Sequence, residues 1–250
     1  MVGFSQIAPG SHCLIEPGTR NLRPDFKDRS SKAMKKLIQL VVLLTMMPLA
    51  FSSYAQIERY VAGTHYTELP TAVNTRDASK VEVIEAFWYG CSHCFRFEPL
   101  IIAWEDGLAE DVDFNRFPAM WNPLMKIHGQ IYYTAEALDA VEEMHQVVYD
   151  AINIQGNRMH NEKVIGDLFV EHGISRDDFE AAFNSFSVRS RVNQAEKRMQ
   201  DYQIRSTPNM VVNGKYLVTT GESVPTQQEM LNVVDFLIEK ERQTLSSAGE

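Results

Sequence analysis

The sequence predicts an α/β domain that carries a helical insertion. Its apolar run over residues 81–89 ends at a pair of cysteines, continues into a helical pattern and reaches a second apolar run over residues 112–117. Helical spacing then dominates residues 122–199, and a β-hairpin and a last helix close the chain. Because neither group of strands forms a stable sheet alone, all strands are expected to share one sheet.

The individual elements follow from hydrophobic spacing and turn residues. Residues 65–70 are predicted to be extended, residues 81–89 form the strongest strand, and residues 112–117 form a strand parallel to it. The predicted helices of the insertion cover residues 125–138, 140–154, 162–172 and 176–199, and Ser175 caps the last of them. Asn213-Gly214 favours a hairpin turn between strands at 209–212 and 216–218, followed by a helix over 226–243.

The N-terminal region predicts export. An apolar run over residues 37–51 follows Lys35 and Lys36 and leads to a small-x-small sequence ending at Ala55, which is the layout of a secretory signal peptide. A retained membrane anchor is the alternative, although the run is shorter than an ordinary membrane helix. Residues 1–33 are polar and do not fit such a leader, so Met34 is the expected start.

This pattern divides the chain into three parts. Residues 1–55 are an N-terminal extension plus signal peptide, with the signal proper at about 34–55; residues 56–121 and 200–250 form the α/β domain; and residues 122–199 form the inserted helical domain. Export would leave 17 basic and 30 acidic residues, a net charge of −13. A chain this acidic lacks the basic surface of a nucleic-acid-binding protein.

The sequence Cys91-Ser92-His93-Cys94 lies where the strand gives way to a helix. A sulfur there meets unpaired backbone N–H groups and the positive end of the helix dipole, so Cys91 is expected to have a lowered pKa and to be the nucleophile. Cys94, one turn further on, is the expected resolving thiol, and His93 is expected to add a donor or a positive charge. The alternative for His93 is an exposed helix residue without a redox role.

Two other interpretations of the cysteine pair stay open. A zinc half-site would need further ligands, but the only other cysteine is Cys13, before the predicted cleavage point. The histidines outside the motif show no metal spacing; they are His65, His128, His145, His160 and His172. A structural disulfide is possible, although so short a loop stabilises little. An exported chain that keeps a single vicinal pair is expected to act on the disulfides of other proteins.

Two acidic residues accompany the cysteines. Glu85 shares strand parity with Val81 and Val83, so an apolar environment should raise its pKa; the alternative is a carboxylate that reaches water at the strand edge. Glu98 follows Cys94 by four residues and either faces it or is exposed. The aromatic residues around the motif are expected to be core and rim residues: Phe87, Trp88, Tyr89 and Phe95. A client-binding surface is expected to include Met120, Trp121 and Met125.

The segment FWYGCSHCFRFE at residues 87–98, together with Ser206-Thr207-Pro208-Asn209 before the hairpin, resembles the thioredoxin fold. The helical block between the two halves resembles the DsbA family of periplasmic thiol oxidases, over nearly all of residues 56–250. The resemblance therefore implies a thioredoxin-like fold with an inserted all-helical domain. It also implies that Pro208 follows a cis peptide bond and lies against the active-site disulfide, and that Glu85 helps to move protons for Cys94.

Ser92 is a departure from the resemblance, because the best-known members have proline there. The replacement frees one backbone N–H beside the sulfur and bears on the redox potential. Ser92 and Thr207 are the candidate substrate-binding residues, whereas Cys91, Cys94, His93, Glu85 and Pro208 are the candidate catalytic residues.

The function expected from these features is that of a periplasmic thiol:disulfide interchange protein. It would introduce disulfide bonds into exported proteins through a mixed disulfide at Cys91, using its Cys91–Cys94 disulfide with no other cofactor and no metal. Its expected partners are reduced exported proteins and a quinone-linked membrane reoxidant of the DsbB type, with no nucleic acid, and we expect a monomer. The alternatives are an isomerase or reductase of the same fold, or a non-catalytic binding protein with a structural or metal-bound cysteine pair.

Overall fold

A computed structural model describes residues 34–36 and 58–248. The chain divides into two compact units, residues 1–57 and 58–250. Of the first unit only residues 34–36 are described, and they are helical. The predicted signal peptide and its cleavage point lie outside the described residues.

This unit contains five strands and seven helices within its described residues. The strands are β1 (Thr67–Glu68), β2 (Val81–Phe87), β3 (Val112–Pro118), β4 (Asn209–Val212) and β5 (Tyr216–Thr219). The helices are α1 (Ser92–Glu105), α2 (Pro123–Ala137), α3 (Val141–Asn153), α4 (Glu162–Glu171), α5 (Arg176–Phe183), α6 (Phe186–Asp201) and α7 (Gln227–Ala248). The predicted order of strands, helical block and final hairpin is therefore present.

The strands form one mixed sheet in the order β1-β5-β4-β2-β3. Strand β2 is central, and it pairs in parallel with β3 and antiparallel with β4. All seven of its residues are buried, as expected for a strand covered on both faces. The two strand groups thus share one sheet, as predicted.

Alternate residues of β2 serve two hydrophobic cores. Val81 and Val83 belong to a core that includes α1 and α7 residues, such as Phe97 and Leu237. Ile84 and Ala86 belong to the other core, which consists mainly of residues from the helical block. This arrangement fixes the ends of β2 and α1 between packed layers, and the cysteine pair lies at their junction.

The helical block differs from the prediction in one respect. The single helix expected over residues 176–199 is two helices, α5 and α6, separated by Asn184 and Ser185. Ser185 adopts an extended conformation (φ −67°, ψ 154°), and its hydroxyl accepts a hydrogen bond from the Val188 N–H at 3.1 Å. An N-cap of this kind starts a new helix, and hydrophobic spacing alone does not reveal the break.

Smaller differences lie at element ends. The region predicted to be extended over 65–70 contains only the two-residue strand β1, β2 ends at Phe87 rather than at residue 89, and α7 runs five residues beyond its predicted end. The helices of the block span residues 123–201, and the proposed division into two domains stays a prediction. Among the described residues, no helix combines the length and the apolar character needed to span a membrane.

Candidate active site

The two cysteines lie at the start of α1, where β2 passes through a short turn into the helix. Cys91 is the N-cap residue, in an extended conformation, and its sulfur accepts a hydrogen bond from the Cys94 N–H at 3.3 Å. The Cys91 N–H itself donates to the Trp88 carbonyl at 2.9 Å, which closes the turn. Both cysteines are free thiols, Cys91 half-buried and Cys94 buried.

The pKa of Cys91 is lowered to about 5 from an ordinary value of 9.0. The largest cause is a hydrogen bond from the Cys94 side chain; partial burial opposes it, and the Thr207 side chain and the backbone N–H groups of Cys94 and His93 add to it. These donors stabilise the thiolate. The expectation that the helix start lowers this pKa is therefore met, but the second thiol contributes more than the backbone does.

Cys94 has the opposite character. It has no exposed surface, and burial raises its pKa well above the ordinary range, with the neighbouring Cys91 and Glu85 acting in the same direction. Two sulfurs three residues apart thus favour opposite protonation states. Cys91 is therefore suited to forming and breaking a bond with an outside thiol, and Cys94 is suited to closing the disulfide within the protein.

The loop before β4 faces the first sulfur. The Thr207–Pro208 peptide bond is cis, as the resemblance implies. The Cys91 sulfur lies 3.4 Å from the Thr207 carbonyl oxygen. That oxygen accepts a hydrogen bond only from the protonated thiol, so it opposes ionisation while the Thr207 side chain favours it. Pro208 is buried, and Thr207 is half-buried beside the sulfur.

The two residues between the cysteines are both exposed. The Nδ1 atom of His93 lies 3.1 Å from the Arg96 Nη2. Because a guanidinium only donates, Nδ1 is the acceptor in this contact. The His93 carbonyl also accepts a hydrogen bond from Gln227 of α7 at 2.6 Å. The structure thus ties His93 to the Cys91 thiolate through its backbone N–H, and a role for its ring charge stays a prediction.

Glu85 lies beneath the site in a network that the sequence did not reveal. It is fully buried, so the alternative of a strand-edge carboxylate in water is wrong. Its direct partner across the parallel β2–β3 pair is Arg116, whose Nε lies 3.1 Å from Glu85 Oε2. Burial raises the pKa of Glu85 to about 8, and Arg116 opposes this rise. Glu85 also contributes to the raised pKa of Cys94.

Arg116 joins Glu85 to two further carboxylates on α1. Its Nη2 lies 3.4 Å from Glu98 Oε1 and 3.3 Å from Glu105 Oε2. Glu98 is buried, so the alternative of an exposed helical residue is wrong, and it belongs to this network. Burial acts to raise its pKa, but hydrogen bonding and charge from His145, together with Arg116, hold the pKa below the ordinary value.

His145 of α3 completes this cluster. Its Nε2 lies 3.4 Å from Glu98 Oε2, and its Nδ1 lies 2.8 Å from the Tyr89 hydroxyl. Burial lowers the pKa of His145, and Glu98 opposes the shift. Arg116, His145 and Tyr89 come from distant segments, so only the strand register and the packing of α3 bring them together.

The aromatic residues divide between core and rim. Phe87 and Tyr89 are buried, whereas Trp88 and Phe95 are half-buried. Trp88 stacks on His128 and donates a hydrogen bond to its Nδ1 at 3.0 Å. Of the three residues expected on a client-binding surface, Met120 and Met125 are buried, so that expectation is wrong for them; Trp121 is 46 % exposed. The methionines instead pack in the core of the helical block.

Within residues 34–36 and 58–248, no cluster of three or more His, Cys, Asp or Glu side chains could hold a metal ion. The redox-capable groups of this site are the two sulfurs. A dithiol of unequal pKa at the start of a helix, facing a cis-proline loop on a thioredoxin-like sheet, defines a thiol:disulfide oxidoreductase.

Comparison with known proteins narrows this class. A family model described as the DSBA-like thioredoxin domain matches residues 108–232, which include the cis-proline loop and the helical block. The thiol:disulfide interchange protein DsbA of Pseudomonas aeruginosa is 37 % identical over 209 residues, covering 84 % of this chain and 98 % of that protein. DsbA of Azotobacter vinelandii is 43 % identical over 180 residues, covering 72 % of this chain and 84 % of that protein.

Solved structures agree with the sequence relatives. The crystal structure of Pseudomonas aeruginosa DsbA superposes with a TM-score of 0.72 at 36 % identity, covering 76 % of this chain and 97 % of that one. The oxidoreductase DsbA of Xylella fastidiosa gives a TM-score of 0.69 at 29 % identity, covering 74 % and 98 %. The chain belongs to the DsbA family of thioredoxin-fold thiol:disulfide oxidoreductases.

Proposed function

We propose that this protein donates the Cys91–Cys94 disulfide to reduced proteins in the periplasm. The observation that carries the proposal is the unequal chemistry of the two thiols. Cys91 is only half-buried and has a pKa lowered to about 5, whereas Cys94 is buried with a raised pKa. A thiolate exists only in the reduced state, so its stabilisation favours reduction of this pair and oxidation of the client.

The exchange proceeds in two balanced steps. A client thiolate attacks the Cys91 sulfur, the Cys91–Cys94 bond breaks, and Cys94 leaves as a thiolate that takes up a proton. A second client thiolate then attacks the client sulfur bonded to Cys91, and Cys91 leaves as a thiolate. The client loses two electrons and the cysteine pair gains them. Because a thiol of low pKa is a good leaving group, release of Cys91 is the easy step.

Glu85 is the proposed proton donor and acceptor for Cys94. A buried thiolate at position 94 is unfavourable, so the sulfur must gain a proton as it leaves and lose it during reoxidation. With a pKa near 8, Glu85 is mostly protonated at neutral pH, yet a small change in its surroundings ionises it. Perturbed carboxyl groups of this kind suit general acid–base work.

Thr207 and Ser92 are the proposed substrate contacts, and Pro208 beside them is a proposed catalytic residue. The Thr207 carbonyl oxygen lies next to the Cys91 sulfur, and Ser92 is the exposed residue that follows Cys91 in the chain. A client segment bonded to Cys91 is proposed to contact these two residues. His93 is proposed to tune the Cys91 thiolate.

The location and the second partner complete the proposal. The predicted signal peptide directs the chain to the periplasm, where disulfides persist. The reduced pair then needs an oxidant to act again, and we propose a quinone-linked membrane protein of the DsbB type. The predicted mature chain starts near residue 56, with the helical block inserted between the two halves of the thioredoxin-like domain.

The decisive experiment measures the redox potential and the catalytic cycle together. Purified chain lacking the predicted leader is equilibrated with glutathione buffers, and its oxidised form is mixed with a reduced, unfolded protein that contains several cysteines. We expect an oxidising potential and rapid oxidation of the client. Cys94→Ser, first converted by oxidised glutathione to a mixed disulfide at Cys91, should exchange the glutathione for a client thiol and stay bonded to the client, whereas Cys91→Ser should trap no client. A potential as low as that of thioredoxin, about −270 mV, would exclude the oxidase role.

The same preparations separate the alternatives. An isomerase would rearrange the disulfides of a scrambled client faster than it oxidises a reduced one. A non-catalytic binding protein would act equally well in its Cys91→Ser form, and a metal-bound pair would copurify with zinc. Each of these results contradicts the proposed oxidase.

A further inference from the structure

A cavity of about 620 Å³ opens beside the buried ionisable network and is bounded by β3, α1, α2, α3 and α6. Glu98, Arg116 and His145 line it, whereas neither cysteine, Thr207 nor Pro208 does. The cavity therefore reaches the network from a side that the reacting sulfurs do not occupy. The proposed function assigns no role to this side.

Three buried polar atoms of the network lack a hydrogen-bond partner in the described part of the chain: Glu85 Oε1, Glu98 Oε2 and His145 Nε2. The last two face each other at 3.4 Å, a long contact that leaves both atoms room for a further polar partner. Both residues are less than 5 % exposed. Buried polar groups are normally satisfied, and a cavity this large accommodates water that can reach both atoms. His145 and Glu98 thus form a pair that is buried in the fold but borders the cavity.

This pair is coupled to the acid beneath Cys94 through one guanidinium. Arg116 contacts Glu85 with Nε and Glu98 with Nη2, so the two carboxylates share a single positive charge. The negative charge of Glu98 also acts on Glu85 directly and raises its pKa. When Glu98 loses its charge, Glu85 no longer has this repulsive neighbour and interacts more strongly with Arg116, so the pKa of Glu85 should fall.

We propose that His145 is a positioning residue for the proton chemistry of Cys94. It holds Glu98 as a carboxylate, Glu98 in turn favours the protonated form of Glu85, and the cavity gives the His145–Glu98 pair its access to water. The protonation of the inner thiol is then set in part from the cavity, which neither cysteine lines. This inference rests on the proposed role of Glu85.

Several charged or titratable groups face His145 and affect its protonation. They are Glu98 from α1, Arg116 from β3, Tyr132 from α2, Tyr89 from the turn after β2, and Tyr149 from its own helix. Burial raises the pKa of each tyrosine above its ordinary value, so these phenols stay neutral at neutral pH. Glu98 and Arg116 are therefore the charges that act on the ring.

The test measures the redox potential of the cysteine pair as a function of pH. Reduction takes up protons, so the slope changes at the pKa of each group linked to the reaction, and the break due to Glu85 is identified by its loss in Glu85→Gln. In His145→Phe, which keeps an aromatic ring but no donor, we expect this break to move to lower pH by on the order of one unit. His145→Gln restores a donor toward Glu98 and should return the break toward the wild-type position.

His128→Phe is the matched control, because His128, like His145, is buried against an aromatic ring, but no ion pair or hydrogen bond joins it to Glu98. Its break should stay in place. Glu98→Gln removes the charge directly and should move the break in the same direction as His145→Phe, which decides the question if the latter does not fold. An unmoved break in a folded His145→Phe, or an equal shift in His128→Phe, overturns the inference, and an unmoved break in Glu98→Gln overturns it as well.

The proposed function fails separately. If Cys91 of the wild-type protein ionised like a free thiol, the oxidase mechanism would be wrong, but the position of the Glu85 break would still report on His145. Conversely, an oxidising potential together with a Glu85 break that does not depend on His145 would support the oxidase and contradict only the positioning role of His145.

Discussion

The low pKa of Cys91 depends chiefly on the second thiol, and a pair of substitutions at position 94 isolates that contribution. Cys94→Ala removes the S–H donor, whereas Cys94→Ser keeps a donor of similar size. Both variants retain the backbone N–H of residue 94, which lies 3.3 Å from the Cys91 sulfur. Any difference between the two therefore reports the side-chain hydrogen bond, the largest cause of the shift.

The expected magnitude follows from the chemistry of the contact. A hydrogen bond to a charged group stabilises it by about 1.5–3 kcal/mol. One pKa unit equals about 1.4 kcal/mol, so the Cys91 pKa should rise by about one to two units in Cys94→Ala. Because the starting value is about 5, the pKa would rise to about 6–7, so the thiolate fraction at neutral pH would fall towards one half and its titration would move into an easily measured range. Cys94→Ser should ionise at or below the wild-type pH.

The assay is the ultraviolet absorbance of the thiolate, titrated with pH in each variant and checked against the pH dependence of alkylation by iodoacetamide. Cys91→Ser provides the baseline without the nucleophile. If Cys94→Ala and Cys94→Ser ionise at the same pH, the second thiol does not stabilise the thiolate. The backbone N–H groups and the Thr207 side chain would then have to account for the whole shift.

Three further outcomes are expected. First, the pKa of Cys91 is about 5 in the folded protein, against an ordinary value of 9.0, so ionisation of this thiol stabilises the reduced protein. This contribution is fully present above pH 9 and is lost as the pH falls toward 5. At pH 7 this amounts to about 2.7 kcal/mol, or about 60 mV, so denaturant unfolding should show a reduced-minus-oxidised difference that shrinks between pH 7 and pH 5. A difference independent of pH would contradict the assigned pKa. Second, the raised pKa of Glu85, about 8 against 4.5, contributes stability below pH 4.5 that is lost as the pH rises through 8. Glu85→Gln cannot ionise and should not show this loss, which is about 3 kcal/mol at pH 7. The free energy of unfolding of Glu85→Gln should therefore increase relative to that of the wild type as the pH rises from 5 to 8. A difference between the two proteins that does not change with pH would refute the raised pKa. Third, a Cβ atom at Gly90 would lie 2.3 Å from the Trp88 ring, so Gly90→Ala should lower the free energy of unfolding by about 1–3 kcal/mol and slow client oxidation. Gly107→Ala, whose nearest contact is 3.5 Å away, is the control, and equal effects at both positions would show that Trp88 is not the cause.

Local sequence patterns were sufficient for the main elements and for the reacting atoms. The apolar run of β2, the thiol at the helix start and the Asn213-Gly214 turn each depend on neighbouring residues, so they were predictable without a fold. The position of Cys91 as the N-cap is of the same kind, since a cap is defined by residues within one turn. The break between α5 and α6 was missed because the apolar spacing continues across Asn184 and Ser185.

The surroundings of the reacting atoms were not predictable in this way. Glu85 was expected to be buried, but its partner Arg116 lies 31 residues away and meets it only because β2 and β3 pair in parallel in that register. His145 lies on a helix of the insertion, and its contact with Glu98 depends on how α3 packs against α1. Met120 and Met125 are buried, contrary to expectation, because their environment also depends on how the helical block packs and not on their neighbours in the chain.

The amino-acid sequence alone determined that this chain carries a redox dithiol between a strand and a helix, with a Thr-Pro loop and a helical insertion further on, because these features are written in short-range spacing and residue type. Only the tertiary structure decided which charges surround Cys94 and Glu85, since electrostatic interactions in a buried site depend on distance and desolvation rather than on separation along the chain.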